Sequence, residues 1–427
     1  MTKFINCNRK NYLSIFNNLF FKRHKLDQKI SKIVDKIIID IKKNGDKALI
    51  NYEKKFSKNS AIITNKKTIN KSILSLDSKI KKAIDFSYNR ILKFHSNQKV
   101  KNINYKDHLR NIINYKFVPL DSVGIYVPGG NASFPSTLLM NAIPAIISGV
   151  KRIVLVNPTK DRKQSPGVLY AAKKCGIKEI YSVGGAQAIA ALAYGTRKIK
   201  KVDKIVGPGN IYVSYAKKKV FGEVGIDMIA GPSEITVIGD KNSNPKWIAA
   251  DLIAQAEHDI NSQCILISKD FNLIKNVKRF IKEQINILPR KKIAKESLKK
   301  NGLFIYSSSD KKIIEIVNLI APEHLELNLK NNNKIAKQIK NAGSICLGKY
   351  SAMAATDYNV GSNHVLPTNS SAKFSSGLSV YDFYKRISVI NLSKKGIETI
   401  GEQVIKLANY EGLVGHARSV EVRIRRK

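Results

Sequence analysis

Apolar side chains in the first hundred residues recur every three or four positions. Between 26 and 52, Ile30, Ile33, Val34, Ile37, Ile38 and Ile41 keep that spacing, which predicts a helix with one buried face. Asn44-Gly45-Asp46 interrupts the stripe and reads as a turn. From 122 onward the pattern changes, and short apolar runs alternate with helix-period segments. Residues 122–127 (SVGIYV), 152–156 (RIVLV), 179–183 and 204–206 read as strands. Between them, 137–147, 168–174 (closed by Cys175-Gly176) and the AQAIAALAYG run read as helices. That alternation predicts a parallel sheet with helices on both faces. A second series follows, with strands at 234–238, 264–268, 303–307 and 344–347 and helices at 248–257, 274–284, 312–320 and 335–341. Two related α/β domains are therefore expected. Residues 399–417 read as one helix, and the EVRIRRK tail as a strand or an arm.

Composition adds one anomaly. The 427 residues hold 75 Lys and Arg against 32 Asp and Glu, a formal charge of +43. Such an excess raises nucleic acid or a membrane surface as partners. Its distribution argues for a solvated basic surface instead. Lysines are spread in short pairs such as Lys54-Lys55, Lys81-Lys82 and Lys299-Lys300, and only 217–219 and the terminal Arg-Arg-Lys cluster. No run approaches the roughly 18 apolar residues that span a bilayer. The N-terminus has no signal-peptide pattern, and the four cysteines (Cys7, Cys175, Cys264, Cys346) form no C-x-x-C pair. A cytoplasmic protein with no nucleic-acid or membrane partner is expected. Four stretches lack lysine altogether, 126–135, 183–195, 230–239 and 350–372, and they mark where chemistry is to be sought.

Several polar groups in or near those stretches bear on chemistry. Gly184-Gly185 and Gly207-Pro208-Gly209 each follow a strand and precede a helix. Such turns let a phosphate approach a helix N-terminus, and they equally serve as ordinary turns. No G-x-G-x-x-G fingerprint is present. Four of the seven histidines have polar settings: Gln255-Ala-Glu257-His258, Glu323-His324, Asp357 with His364, and Glu411 with His416. Gln255 and His258 are three apart, so on a helix they share a face. Together with Asp357 they offer nitrogen and oxygen donors suited to Zn2+ or another borderline divalent ion. Glu323-His324 places two proton-transfer groups together, or else the APEH segment is a capping turn. Cys264 and Cys346 are possible thiol nucleophiles, but their apolar strand settings favour packing.

Taken together, these segments resemble the histidinol dehydrogenase family of histidine biosynthesis. The resemblance rests on VGIYVPGG (123–130), VGGAQAIAALAYG (183–195), VDKIVGPGN (202–210), DMIAGPSE (227–234), QAEHD (255–259), APEHLE (321–326), Asp357-Tyr358 and NHVLPT (363–368). It implies two Rossmann-like parallel-sheet domains without the glycine fingerprint, with small N- and C-terminal helical or arm segments. The expected division is an N-terminal arm (1–25), a larger discontinuous α/β domain (26–125 with 233–378), a smaller nucleotide-side α/β domain (126–232) and a C-terminal dimerisation arm (379–427). The resemblance implies oxidation of L-histidinol through L-histidinal to L-histidine with two NAD, by a homodimer holding one zinc per subunit. It further implies Gln255, His258, Asp357 and His416 as metal ligands, with His416 and Glu411 crossing from the partner subunit. Glu323 and His324 match the acid–base pair. Ser233, His324 and Glu411, with the metal ligands, match substrate contacts, and Tyr126, Gln187 and Asn210 match NAD contacts. The chain departs from the family at Ala352-Met353, where Pro-Glu is usual, at Thr356, where Gly is usual, and at Ile260, where Pro is common.

Overall fold

The computed structural model describes residues 2–8, 14, 16, 28–98, 100–129, 133–159 and 163–424. The isoleucine stripe forms α1 (Gln28–Ser57) and buries Val34, Ile37, Ile38 and Ile41. The expected turn is instead a kink inside this helix. Gly45 has φ 49 and ψ −126, a region open to glycine, and the helix then resumes. Helices α2 (Lys66–Leu74) and α3 (Ser78–His95) follow. Each is N-capped by a side-chain oxygen, Asn65 on the Thr68 N–H at 2.8 Å and Asp77 on the Lys79 N–H at 2.6 Å.

Five parallel strands form the first large sheet: β4 (Ser122–Tyr126), β5 (Arg152–Val156), β6 (Glu179–Tyr181), β7 (Lys204–Val206) and β8 (Gly225–Ile226). Their order is β6-β5-β4-β7-β8, so the chain winds outward from β4 and then restarts on its other side at β7. The intervening helices are α4 (Pro135–Ser148), α5 (Pro166–Lys174), α6 (Gly185–Tyr194) and α7 (Ile211–Val220). One face is covered by α1, α6 and α7 through Val34, Ile41, Ala188 and Val213. The other is covered by α3, α4 and α5 through Ile84, Ile91, Leu138 and Val168. Residues 26–125, expected to belong with 233–378, thus pack their helices on this sheet and supply its central strand.

The second large sheet repeats the winding. Its order is β1-β11-β10-β9-β12-β13, all parallel. The strands are β1 (Lys3–Asn6), β9 (Glu234–Gly239), β10 (Gln263–Ser268), β11 (Leu303–Tyr306), β12 (His324–Asn328) and β13 (Ser344–Leu347). Around them lie α8 (Pro245–Ala256), α9 (Phe271–Gln284), α10 (Lys291–Asn301), α11 (Asp310–Ile320), α12 (Asn332–Ala336) and α13 (Met353–Tyr358). Two strands here were not expected. β1 makes the start of the supposed N-terminal arm an edge strand, and most of the remaining arm lies outside the described residues. β12 carries His324, Glu326 and Asn328, a polar sequence that earns its place in the sheet only through partners distant along the chain. The helix expected at 335–341 is limited to Asn332–Ala336.

A third, antiparallel sheet was also missed. It comprises β2 (Ile103–Lys106), β3 (Ile112–Pro119) and β14 (Tyr384–Asn391), with β3 central. After it come α14 (Lys394–Tyr410) and α15 (Val414–Ile424). The single helix expected at 399–417 is broken at Gly412, whose φ is 74. The tail, expected as a strand or an arm, is helical to Ile424, and 425–427 lie outside the described residues.

Candidate active site

The loops after β4, β7 and β8 face the first residues of β10, β11 and β12 across a cavity of about 1060 Å³. The cleft therefore joins the C-terminal edge of the first sheet to the N-terminal edge of the second. Open α/β sheets usually bind at C-terminal strand ends, a rule that holds here only for the first sheet. Asn210 lines the cavity from one side, and Ser233, Gln255, His258, Glu323, His324 and Asp357 from the other.

The APEH segment is partly a cap and partly a strand. α11 ends at Ala321 in the left-handed region, φ 48, Pro322 prevents continuation, and His324 opens β12. Glu323 and His324 are 6% and 3% exposed. Glu323 Oε2 accepts the Glu234 N–H at 2.7 Å, which aims the carboxyl at the cavity floor. His324 Nε2 lies 3.8 Å from Glu323 Oε1 and 3.8 Å from Asp357 Oδ1. Burial pushes the Glu323 carboxyl well above the usual range, with the Glu234 N–H opposing and the Glu234 and Asp357 charges adding. Burial, then His364 and His258, lowers His324 to about 3. The imidazole is thus neutral at physiological pH, and its Nδ1 is buried without a hydrogen-bond partner.

Gln255 and His258 adjoin through a turn rather than along one helix. α8 stops at Ala256 with Glu257 as its C-cap, and the His258 N–H reaches the Gln255 carbonyl at 3.3 Å. Loss of hydration lowers the His258 pKa although part of the residue is exposed, with Glu257 opposing and Arg290 assisting. Asp357 stands near the end of α13, and burial raises it to about 7. Its Oδ1 and the Gln255 Nε2 are buried without a hydrogen-bond partner. A carboxylate oxygen left so calls for a cation or a donor from a ligand. Among the described residues no three His, Cys, Asp or Glu side chains gather closely enough to hold a metal ion. One chain thus brings an amide, an imidazole and a carboxylate to one cavity, a donor set that fits a divalent ion but is incomplete. His364, noted in the sequence beside Asp357 but given no role, also lines the cavity. Its Nδ1 lies 2.8 Å from the Asp357 carbonyl, and burial lowers its pKa to about 4.

The other expected site residues are placed less directly. Glu411 and His416 are exposed at the corner between α14 and α15 and do not line this cavity. Tyr126 and Gln187 are 3% exposed each and do not line it. The Tyr126 hydroxyl accepts the Gly185 N–H at 3.1 Å. Gln187 Nε2 donates to Glu53 Oε1 at 2.8 Å, and the Gly184 N–H donates to the same oxygen at 2.9 Å. Glu53, fully buried and not singled out in the sequence, therefore occupies the anion position at the start of α6. The Gly184-Gly185 turn is closed by the protein's own carboxyl.

The Gly207 turn is different, because its loop opens onto the cavity through Pro208, Gly209 and Asn210. Gly207 has φ 106, and a Cβ there would collide with the Tyr126 carbonyl. Asn210 caps α7 by accepting the Tyr212 and Val213 N–H groups at 3.1 and 3.2 Å. The loop is anchored by a buried ion pair between Lys217 and Asp227. Lys217 Nζ also donates to the Gly207 carbonyl at 3.0 Å, and Asp227 Oδ2 accepts the Gly207 N–H at 2.7 Å. Lys217→Met leaves Asp227 buried and uncompensated, so it should cost about 3–5 kcal/mol. Urea denaturation checks this, and a loss below about 1 kcal/mol would mean water reaches Asp227.

All four cysteines are buried. Burial pushes Cys7 up to about 11 and Cys175 and Cys346 up to about 12, while the Cys264 thiol donates to the Leu252 carbonyl at 3.2 Å. None is set up as a thiolate nucleophile.

The histidinol dehydrogenase family model matches residues 21–424. The chain belongs to that family. Histidinol dehydrogenase of Pelagibacter ubique is 65% identical over 428 residues, covering 100% of both chains. The Bacillus subtilis enzyme is 47% identical and covers 92% of this chain and 93% of its own. The crystal structure of histidinol dehydrogenase from Elizabethkingia anophelis superposes with a TM-score of 0.93 at 39% identity, covering 99% of this chain and 98% of that one. The chain is accordingly an oxidoreductase of histidine biosynthesis acting on histidinol. Within the family frame, the departures at Ala352, Met353 and Thr356 fall on α13 and its N-cap. Met353 is buried, and the Thr356 hydroxyl donates to the Met353 carbonyl at 2.6 Å.

Proposed function

We propose that the chain oxidises L-histidinol to L-histidinal and then to L-histidine, using two NAD+ and one Zn2+ per subunit. The observation that carries this reading is the buried Glu323–His324 pair beside Asp357, with His324 Nε2 3.8 Å from both carboxyls. Gln255, His258 and Asp357 hold the metal, with His416 of the partner subunit completing the set. Zn2+, when bound, fixes the substrate by its imidazole and amino groups and so orients the carbinol carbon. NAD+ supplies the hydride acceptor for each oxidation. Ser233 and His324, with Glu411 of the partner subunit, contact the substrate, and Asn210, Tyr126 and Gln187 serve the dinucleotide side, carried by residues 126–232. Asn210 does so from the cavity wall, Tyr126 through its bond to Gly185 and Gln187 through its bond to Glu53.

His324 takes the hydroxyl proton as hydride leaves the carbinol carbon. Glu323 then takes a proton from the water that adds to the aldehyde. Burial raises its pKa, so once ionised the carboxylate is a stronger base than an exposed one. His324 returns its proton to the aldehyde oxygen as the water adds, and is then free to take a hydroxyl proton from the hydrate as the second hydride leaves to NAD+. No thiol is needed.

A homodimer is part of the reading. Around Glu411 and His416, the apolar side chains Leu407, Tyr410, Leu413 and Val414 are exposed, and a second copy of the chain would cover them. The reaction belongs in the cytoplasm, without a nucleic-acid or membrane partner. Among the described residues no helix is long and apolar enough to cross a membrane. The test is NADH formation from L-histidinol with added zinc. Two NADH per histidinol are expected, and a ratio of one would make the aldehyde the product.

A further inference from the structure

Outside the lining of the cavity lies a second pair of acids that the mechanism does not use. Asp251 stands on α8, one helical turn before Gln255. Glu326 stands on β12, two residues after His324 and so on the same face of the sheet. Their side chains are hydrogen-bonded to each other. Glu326 Oε1 also accepts the N–H of Met353 at 2.6 Å. Met353 is the first residue of α13, one turn before Asp357. Each of the three contact points is thus one structural repeat behind a residue of the site.

We infer that Asp251 and Glu326 are positioning residues, whose shared proton and bond to α13 hold Gln255, His324 and Asp357 on one frame. The inference rests on the metal-dependent reading above. Among the described residues neither carboxyl has an ion-pair partner. Two carboxyls without a cation bond to each other only when one of them carries a proton. Glu326 is 1% exposed, so its second state, a bare anion facing another, is disfavoured. Burial first, and then Asp251, raises Glu326, and burial raises Asp251. The contact to α13 uses the backbone of Met353, so the departure from the family at that side chain leaves it intact. A bond of this kind orients a metal ligand through the element that carries it, and loss of such support typically lowers metal affinity about 10- to 100-fold.

The test uses the full-length protein stripped of metal and reloaded with Co2+, whose visible absorption reports the ligand geometry. Glu326→Gln keeps an acceptor for the Met353 N–H and a donor for Asp251. It should bind Co2+ within about threefold of the parent with the same spectrum, and Asp251→Asn likewise. Glu326→Leu should bind at least about tenfold more weakly, with an altered band at saturation. Should Glu326→Leu fail to fold, Asp251→Leu breaks the α8–β12 bond at a half-buried position and should weaken binding in the same direction. Loss of general stability alone would leave the spectrum of the saturated protein unchanged. Parental affinity and spectrum in a folded leucine variant would overturn the inference, as would a glutamine variant as weak as the leucine one. If the parent itself binds no Co2+, the metal-dependent reading fails first. If the parent binds and the leucine variant matches it, only the positioning role fails.

Discussion

His324→Ala is expected to lower turnover of histidinol by roughly a hundred- to ten-thousand-fold, the usual contribution of a positioned proton-transfer group, while zinc content stays at the parental level. The imidazole is buried, neutral, and within 4 Å of two carboxyls. It is placed to accept a proton from a substrate hydroxyl rather than to pair permanently with either acid. Alanine removes the acceptor but leaves the Gln255, His258 and Asp357 donors untouched. Steady-state NADH formation and metal analysis on the same sample check both halves. Loss of metal together with activity would move His324 into the ligand set, and near-parental turnover would remove it from the chemistry.

Stripping the divalent metal is expected to lower turnover by at least about a hundredfold, the scale at which loss of substrate orientation is felt, and added Zn2+ should restore it. The physical case is the orphaned Asp357 Oδ1, a buried acceptor with no protein donor. A second readout does not depend on activity. Zn2+ at about a hundred times its dissociation constant should stabilise the folded chain by about 2.7 kcal/mol, visible as a higher unfolding temperature. Full turnover in a verified metal-free sample would show that zinc does not orient the substrate.

Much of the framework was legible in the linear pattern because it is built from local signals. Parallel strands buried on both faces read as continuous apolar runs, and RIVLV and KIV coincide with β5 and β7. The lysine-free stretches were also informative, though for two different reasons. Pro128, Ser233 and Asp357, from three of them, line the cavity. The fourth, 183–195, contributes nothing to the lining, and lacks lysine because α6 is core. The third sheet escaped notice because β14 is exposed along nearly its whole length, so no buried stripe marks it. The α14–α15 break was hidden in a continuous helical period and depends on one positive φ at Gly412.

What the sequence determined by itself is the alternation of strands and helices, the family motifs, and the choice of Gln255, His258, Glu323, His324 and Asp357 as candidate site residues, which the fold brings to one cavity. These depend on residue type and short spacing, which the chain carries locally. Only the tertiary structure decided that the cleft opens at the N-terminal ends of the second sheet. It alone decided that Glu53 closes the Gly184 turn, that Lys217 and Asp227 anchor the Gly207 loop, and that Glu326 bonds to both Asp251 and the start of α13. In the last three a charged residue that reads as surface in the sequence is buried beside a partner that only the fold brings to it. The cost of burying such a group is offset only by bonds that exist once the chain has folded.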